Sequence, residues 1–196
     1  MPPPSKHQGA SARDRLLNAA AVLFYNDGIA ATGIDAITAR AGVAKQSLYN
    51  NFASKSDLVT TYIEQRHDEW LALYAARAAA AHHPKDIIIA VFDAYDDHAT
   101  FAYERGFRGC GLLNAAAELG AGDAGRKAVR RHKEQVEEIL HNQLSQLLPD
   151  DAGRAETLAA HLAFLLEGAM TRAGLEGDAN RLRSARAMAR DMLARL

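Results

Sequence analysis

The side chains best suited to meet a nucleic acid lie between Lys45 and Asn50. Lys45, Gln46, Ser47, Tyr49 and Asn50 surround Leu48, and Phe52 follows four residues after that leucine. Apolar residues four apart share one helix face, so the polar set faces the other way. Its members are long enough to reach phosphates or base edges. Gln46 and Asn50 carry amide forks that match adenine, and Lys45 can donate to guanine. Tyr49 suits a phosphate, a contact that positions without reading sequence. Thr32 lies ahead of this stretch and Lys55 just after it. Lys55 opens a further helix, where free N–H groups and the helix dipole favour a phosphate.

A second set of residues would suit a small molecule. Phe92, Tyr95 and Phe107 provide aromatic surface, and Asn114, Glu118 and His132 provide few but distinct polar groups. That mixture is the usual make-up of a ligand site. Cys110, the single cysteine, reads first as a small buried apolar residue. Its neighbours Arg105 and Arg108 leave a redox-sensing thiolate as the alternative. Two Glu-x-x-His pairs, Glu64 to His67 and Glu138 to His141, raise an enzyme reading. With Glu104, Glu118 or Glu167 they would supply the ligands of a four-helix di-iron carboxylate oxidase. This is the minor alternative, because helix periodicity turns Ile139 or Leu140 inward beside His141, and because it leaves the 34–52 stretch unexplained. No pair has other metal spacing, and phosphate-loop, nucleophile-elbow and zinc-protease signatures are missing from the sequence. The sequence therefore predicts no catalytic residue, cofactor or metal.

Positioning these residues requires helices. Ala is abundant, Pro and β-branched residues are sparse, and no strand alternation persists. The expected fold is all-α with about nine helices. Ser11 and Asp14 open helix 1, whose stripe is Leu16, Ala20, Leu23 and Phe24, and Gly28 closes it. Ile34, Ile37 and Ala41 form helix 2, Gly42 makes the turn, and Lys45 to Phe52 forms helix 3. Ser54 caps helix 4, which runs to about Ala81, and Pro84 opens helix 5. A short helix over Leu112 to Leu119, helix 7 from Asp123 to Leu147, helix 8 from Pro149–Asp151 to Gly174, and helix 9 to the C-terminus complete the chain. Residues 1 to 10 are expected to be a disordered tail.

The last two helices have broad apolar faces. Helix 8 offers Leu158, Leu162, Leu165, Leu166, Ala169 and Ala173; helix 9 offers Leu182, Ala185, Met188, Ala189, Met192 and Leu196. Such a hairpin either fills its own core or pairs with a copy of itself as a four-helix bundle.

The order AGVAKQSLYNNFASKSDLV, preceded by GIAATGIDAI and a helix, resembles the N-terminal DNA-binding domain of TetR-type transcriptional regulators. The resemblance covers about residues 11 to 66. Further on, FRGCGLLNAAAEL followed by His132 resembles the ligand domain of one subgroup. The chain departs from the pattern at Gly33 and Ala44, where the family often has hydroxyl residues. The resemblance implies a helix-turn-helix domain over 11–66 and a ligand-binding and dimerisation domain over 67–196. It also implies a homodimer through the last two helices, a double-stranded DNA operator of palindromic form, and a small-molecule effector that releases it, most often from repression.

Composition agrees with this reading. The formal net charge is −1, with 48% apolar and 24% charged residues. Residues 1–66 hold 7 Lys+Arg against 5 Asp+Glu, whereas the remainder holds 16 against 19. The sign of that asymmetry suits a DNA-binding N-terminus. A structural DNA-bending protein would require a stronger basic excess. One cysteine, no apolar run of membrane-spanning length and no signal peptide predict a cytoplasmic protein.

Overall fold

The computed structural model describes residues 10–196, in which the chain forms nine α-helices and no strand. They are α1 (Ala12–Asp27), α2 (Ile34–Ala41), α3 (Lys45–Asn51), α4 (Lys55–Ala78), α5 (Pro84–Ala99), α6 (Gly111–Ala117), α7 (Ala124–Leu147), α8 (Ala152–Glu176) and α9 (Asn180–Leu193). The expected all-α class is the observed one. The proposed tail, apart from Ala10, lies outside the described residues.

Local chemistry sets most helix boundaries. Ser11 accepts from the Asp14 backbone N–H, and the Asp14 carboxylate accepts from the Ser11 N–H, a closed capping box. Gly42 ends α2 with φ 63°, a left-handed conformation that a Cβ disfavours. Ser54 Oγ accepts from the Asp57 N–H at 3.0 Å, as an N-cap should. Gly33 and Ala44 stand at the N-caps of α2 and α3 without a side-chain bond, as their lack of a hydroxyl dictates.

Gly177, at φ 78°, ends α8, rather than the expected Gly174. Gly174 remains inside the helix for a packing reason. A Cβ there would meet the Gly109 Cα at 2.6 Å and the Arg108 carbonyl carbon at 2.9 Å.

The chain divides into two compact units. One comprises Met1–His67, Ala102–Gly106 and Gly111–Arg130; the other comprises Asp68–Phe101, Phe107–Cys110 and Arg131–Leu196. The expected boundary near residue 66 is one of several crossings, because α6 and the start of α7 belong with the first unit. In that unit Leu16, Ala20, Ile37, Leu48, Leu58 and Ile63 are fully buried, and Phe52 and Tyr62 nearly so. Phe24 meets Tyr62 edge-on at 5.5 Å, and the Arg13 guanidinium covers the Phe52 ring at 5.2 Å. The core of the second unit is built from Ile88, Val91, Phe92, Leu140, Leu144, Leu162, Leu166 and Leu182. There α9 packs on both α8 and α5. Arg186 pairs with Asp93, and Arg183 with Asp96 at 3.3 Å.

Candidate nucleic-acid interface and effector cluster

The first unit carries a complete helix-turn-helix. Ile37 and Leu48 are fully buried beneath α2 and α3, which fixes the angle between them. Thr38 stabilises the end of α2: its carbonyl accepts from the Val43 N–H and its Oγ1 donates to the Ile34 carbonyl. With Leu48 inward, Lys45, Gln46, Tyr49 and Asn50 are exposed and Ser47 is half-buried. Tyr49 is 49% exposed, so its ring and hydroxyl are open to a partner.

The exposed side chains are preordered. Gln46 Nε2 donates to Asn50 Oδ1 at 3.1 Å, so the two amides already form one hydrogen-bonding surface. The Lys45 ammonium lies 2.8 Å from the Asp35 carboxylate, whose hydrogen bond pushes the lysine above its ordinary pKa. Any phosphate or base that takes Lys45 must compete with Asp35.

Two of the expected DNA contacts also bond within the chain. Thr32 is only 3% exposed, and its hydroxyl donates to the Gly28 carbonyl at 2.6 Å. It shapes the turn between α1 and α2. The Lys55 ammonium donates to the Ile29 carbonyl at 2.6 Å, so one of its three N–H groups holds that same turn.

The turn has a third anchor that the sequence concealed. Both Glu118 carboxylate oxygens accept from its backbone, one from the Ile29 N–H at 3.0 Å and the other from the Ala30 N–H at 2.7 Å. Gly28, at φ 88°, leaves room for this carboxylate; a Cβ there would lie 2.7 Å from Glu118 Oε1. Nearby, Glu104 accepts from Asn26 at 3.2 Å and pairs with Arg40, Arg105 pairs with Asp27, and Tyr103 stacks on Tyr25 at 4.4 Å. Segments 102–106 and 111–130 are thus fastened to α1 and α2 by charge and stacking. Glu118 and Asn114, both on the 111–130 segment, group with the first unit, and Phe92 and Tyr95 group with the second.

In the second unit Phe92, Tyr95, Phe107 and His132 are all buried. Tyr95 Oη lies 3.2 Å from His132 Nε2, and Trp70 completes an aromatic cluster, 5.3 Å from Tyr95 and 5.2 Å from His132 by ring centroids. Burial pushes the Tyr95 phenol up to about 12. The sequence reading passed over Lys133. Its Nζ donates to Tyr95 Oη at 3.4 Å, lies 5.4 Å from that ring's centroid and is 3.7 Å from Glu167. Burial alone would lower the Lys133 pKa. The charges available at Tyr95, Cys110 and Glu167 outweigh burial, and Lys133 stays cationic. Its register could have exposed it: Lys133 falls four residues after Val129 and three before Val136, on the inward stripe of α7. Among the described residues no three His, Cys, Asp or Glu side chains could hold a metal.

A helix-turn-helix with its polar helix exposed, fastened to further helical segments and followed by a second all-α unit, defines a DNA-binding regulator. Known proteins fix the family. Residues 16–61 match the model of the bacterial regulatory proteins of the tetR family. A TetR-family transcriptional regulator from Streptomyces coelicolor has 32% identity and a TM-score of 0.78, covering 92% of this chain and 95% of that one. A TetR-type regulator from Streptomyces avermitilis has 27% identity and a TM-score of 0.71, covering 92% and 98%. The chain belongs to the TetR family of transcriptional regulators. The HTH-type transcriptional repressor KstR2 of Mycolicibacterium smegmatis is 39% identical over 71 residues, 36% of this chain and 34% of that protein. The match thus spans about a third of this curated relative.

Proposed function

We propose that the protein is a cytoplasmic homodimer that binds a palindromic DNA operator and releases it when a small molecule binds the second unit. The observation that carries this reading is the exposed α3 face, with Lys45, Gln46, Tyr49 and Asn50 presented on a buried helix-turn-helix core. Tyr49 and Ser47 take phosphates, while Lys45, Gln46 and Asn50 read base edges. Repression is the favoured outcome, supported by the partial match to a protein named as a repressor.

Two-fold pairing is supported by what α8 and α9 leave uncovered. Leu162, Leu166, Ala173, Leu182, Ala185 and Ala189 fill the unit's own core. Phe164 and Leu175 on α8, and Met188 on α9, stay 68%, 79% and 54% exposed. A second copy would cover this stripe isologously. No helix among the described residues is long and apolar enough to cross a membrane.

The effector would lie beside Phe92, Tyr95, Phe107 and His132. Chain connectivity supplies a path to the reader. Cys110 ends a segment of the second unit, and the next residue, Gly111, begins the segment whose Glu118 holds the α1–α2 turn. An effector that favours a displaced 107–110 segment therefore biases the reading heads. Moving the population from about 1:99 to 99:1 needs roughly 5.5 kcal/mol of differential affinity.

The test is selection of duplex DNA with the purified protein, then footprinting and light scattering. The expected site has two half-sites about one helical turn apart, occupied by a dimer. Tyr49→Ala should weaken binding to all duplexes, whereas Gln46→Ala should change sequence preference by roughly 1–3 kcal/mol at one position. Protection of a single half-site by a monomer, or no selected sequence, would overturn the reading.

A further inference from the structure

The second unit holds two buried hydrogen-bond donors with inadequate partners. Trp70 is 3% exposed, yet its Nε1–H meets no acceptor among the described residues. Lys133 has three N–H donors on a side chain only 16% exposed. Its hydrogen bond to Tyr95 Oη is long, at 3.4 Å, and its nearest carboxylate oxygen, on Glu167, stands off at 3.7 Å. Strong charge-assisted bonds are shorter, about 2.7–2.9 Å. Both donors border the Tyr95 ring: Trp70 packs on it and on His132, and the Lys133 ammonium lies over it beside its hydroxyl. Leaving such donors short of acceptors is costly unless something else satisfies them.

Resting on the reading of an effector in this unit, we propose that Trp70 and Lys133 form its polar recognition end, selecting an apolar molecule with a neutral carbonyl oxygen. The donors require an acceptor, which excludes ammonium ions and pure hydrocarbons. The charge balance selects among acceptors. Lys133 and Glu167 together are neutral, so a ketone, ester or amide oxygen adds no charge to a buried cluster. A carboxylate would leave one negative charge in excess, which burial penalises. Tyr95 and Phe92, three apart on α5, supply the apolar wall on one helix face.

Trp70 is the only tryptophan, so its fluorescence reports directly on this cluster. The probes are a graded series of alicyclic ketones, from cyclohexanone to cyclododecanone, with matching hydrocarbons and carboxylates. At least one ketone should perturb Trp70 emission and bind about tenfold or more tighter than its hydrocarbon and its carboxylate. Lys133→Met should abolish most of that preference, as expected for loss of a hydrogen bond to a charged group. Trp70→Phe, read by calorimetry, keeps an aromatic ring and should reduce the preference about fivefold. The readout is the ratio between matched probes, which a general loosening of the fold would not shift selectively. Preference for the carboxylate, or equal affinities unchanged by both variants, would overturn the proposal. Operator release by those same probes would then still uphold the effector reading. Binding by no member of the series would also overturn it, whereas release of operator by unrelated compounds tests the effector reading separately.

Discussion

Removing the Glu118 carboxylate should loosen the turn between α1 and α2 while leaving the core of the reading unit intact. In Glu118→Ala the N–H groups of Ile29 and Ala30 lose acceptors at 3.0 and 2.7 Å. Hydrogen bonds to charged groups are worth about 1.5–3 kcal/mol each when buried. The carboxylate is exposed and the Ala30 bond is open to solvent, so water replaces part of what is lost. The expected cost is about 1–2 kcal/mol in total, roughly a five- to thirtyfold change in the local opening equilibrium. Native-state hydrogen exchange should show that acceleration at Ile29 and Ala30, with amides in the middle of α1 unchanged. Gly28 allows a stricter check. Gly28→Ala alone incurs both the left-handed backbone cost and the 2.7 Å approach to Glu118 Oε1. In the Glu118→Ala background the close approach is gone, so the two effects should sum to less than additivity predicts. Unchanged exchange at Ile29 and Ala30, or strict additivity, would refute the anchoring role.

Phe164→Glu should convert the dimer to monomer by light scattering at micromolar concentration with no loss of helicity, because Phe164 is 68% exposed in the single chain. Gly174→Ala should destabilise the second unit by about 1–3 kcal/mol in chemical denaturation, since the new methyl would press on the backbone of Arg108 and Gly109. The Tyr95 phenol is raised from 10.0 to about 12 by burial, so the folded state favours its neutral form. That contribution is intact below pH 10 and is lost as the pH rises towards 12. Ultraviolet titration should show one tyrosine ionising last, together with loss of structure, and Tyr95→Phe should remove that late step.

The sequence alone was enough for the helix-turn-helix. Its determinants are local: the Ser11–Asp14 box, the turn at Gly42, and the spacing of Leu48 and Phe52. A helix face follows from 3.6-residue periodicity, so the outward set of Lys45, Gln46, Tyr49 and Asn50 was legible before any tertiary structure. The family resemblance rested on the same residues. The limits of α8 were less legible, because Gly174 looks like a stop until the opposing Gly109 backbone is seen.

Tertiary structure decided where the units divide, and which polar residues serve them. Thr32 and Lys55 read as phosphate contacts, and only the folded chain shows the Gly28 and Ile29 carbonyls to which they also donate. Glu118 reads as a ligand contact, and only the folded chain shows the Ile29 and Ala30 amides, 88 or more residues away in the chain, at its oxygens. Lys133 and Trp70 acquire meaning only when Tyr95 is seen packed against both. Periodicity showed that α8 and α9 have apolar faces but could not divide Leu182 and Ala185, which fill their own core, from Met188, which does not. The reason is common to all of these. A helix face is specified by neighbours three and four residues away, whereas the partner of a carboxylate or an ammonium is set by long-range packing that no short spacing encodes.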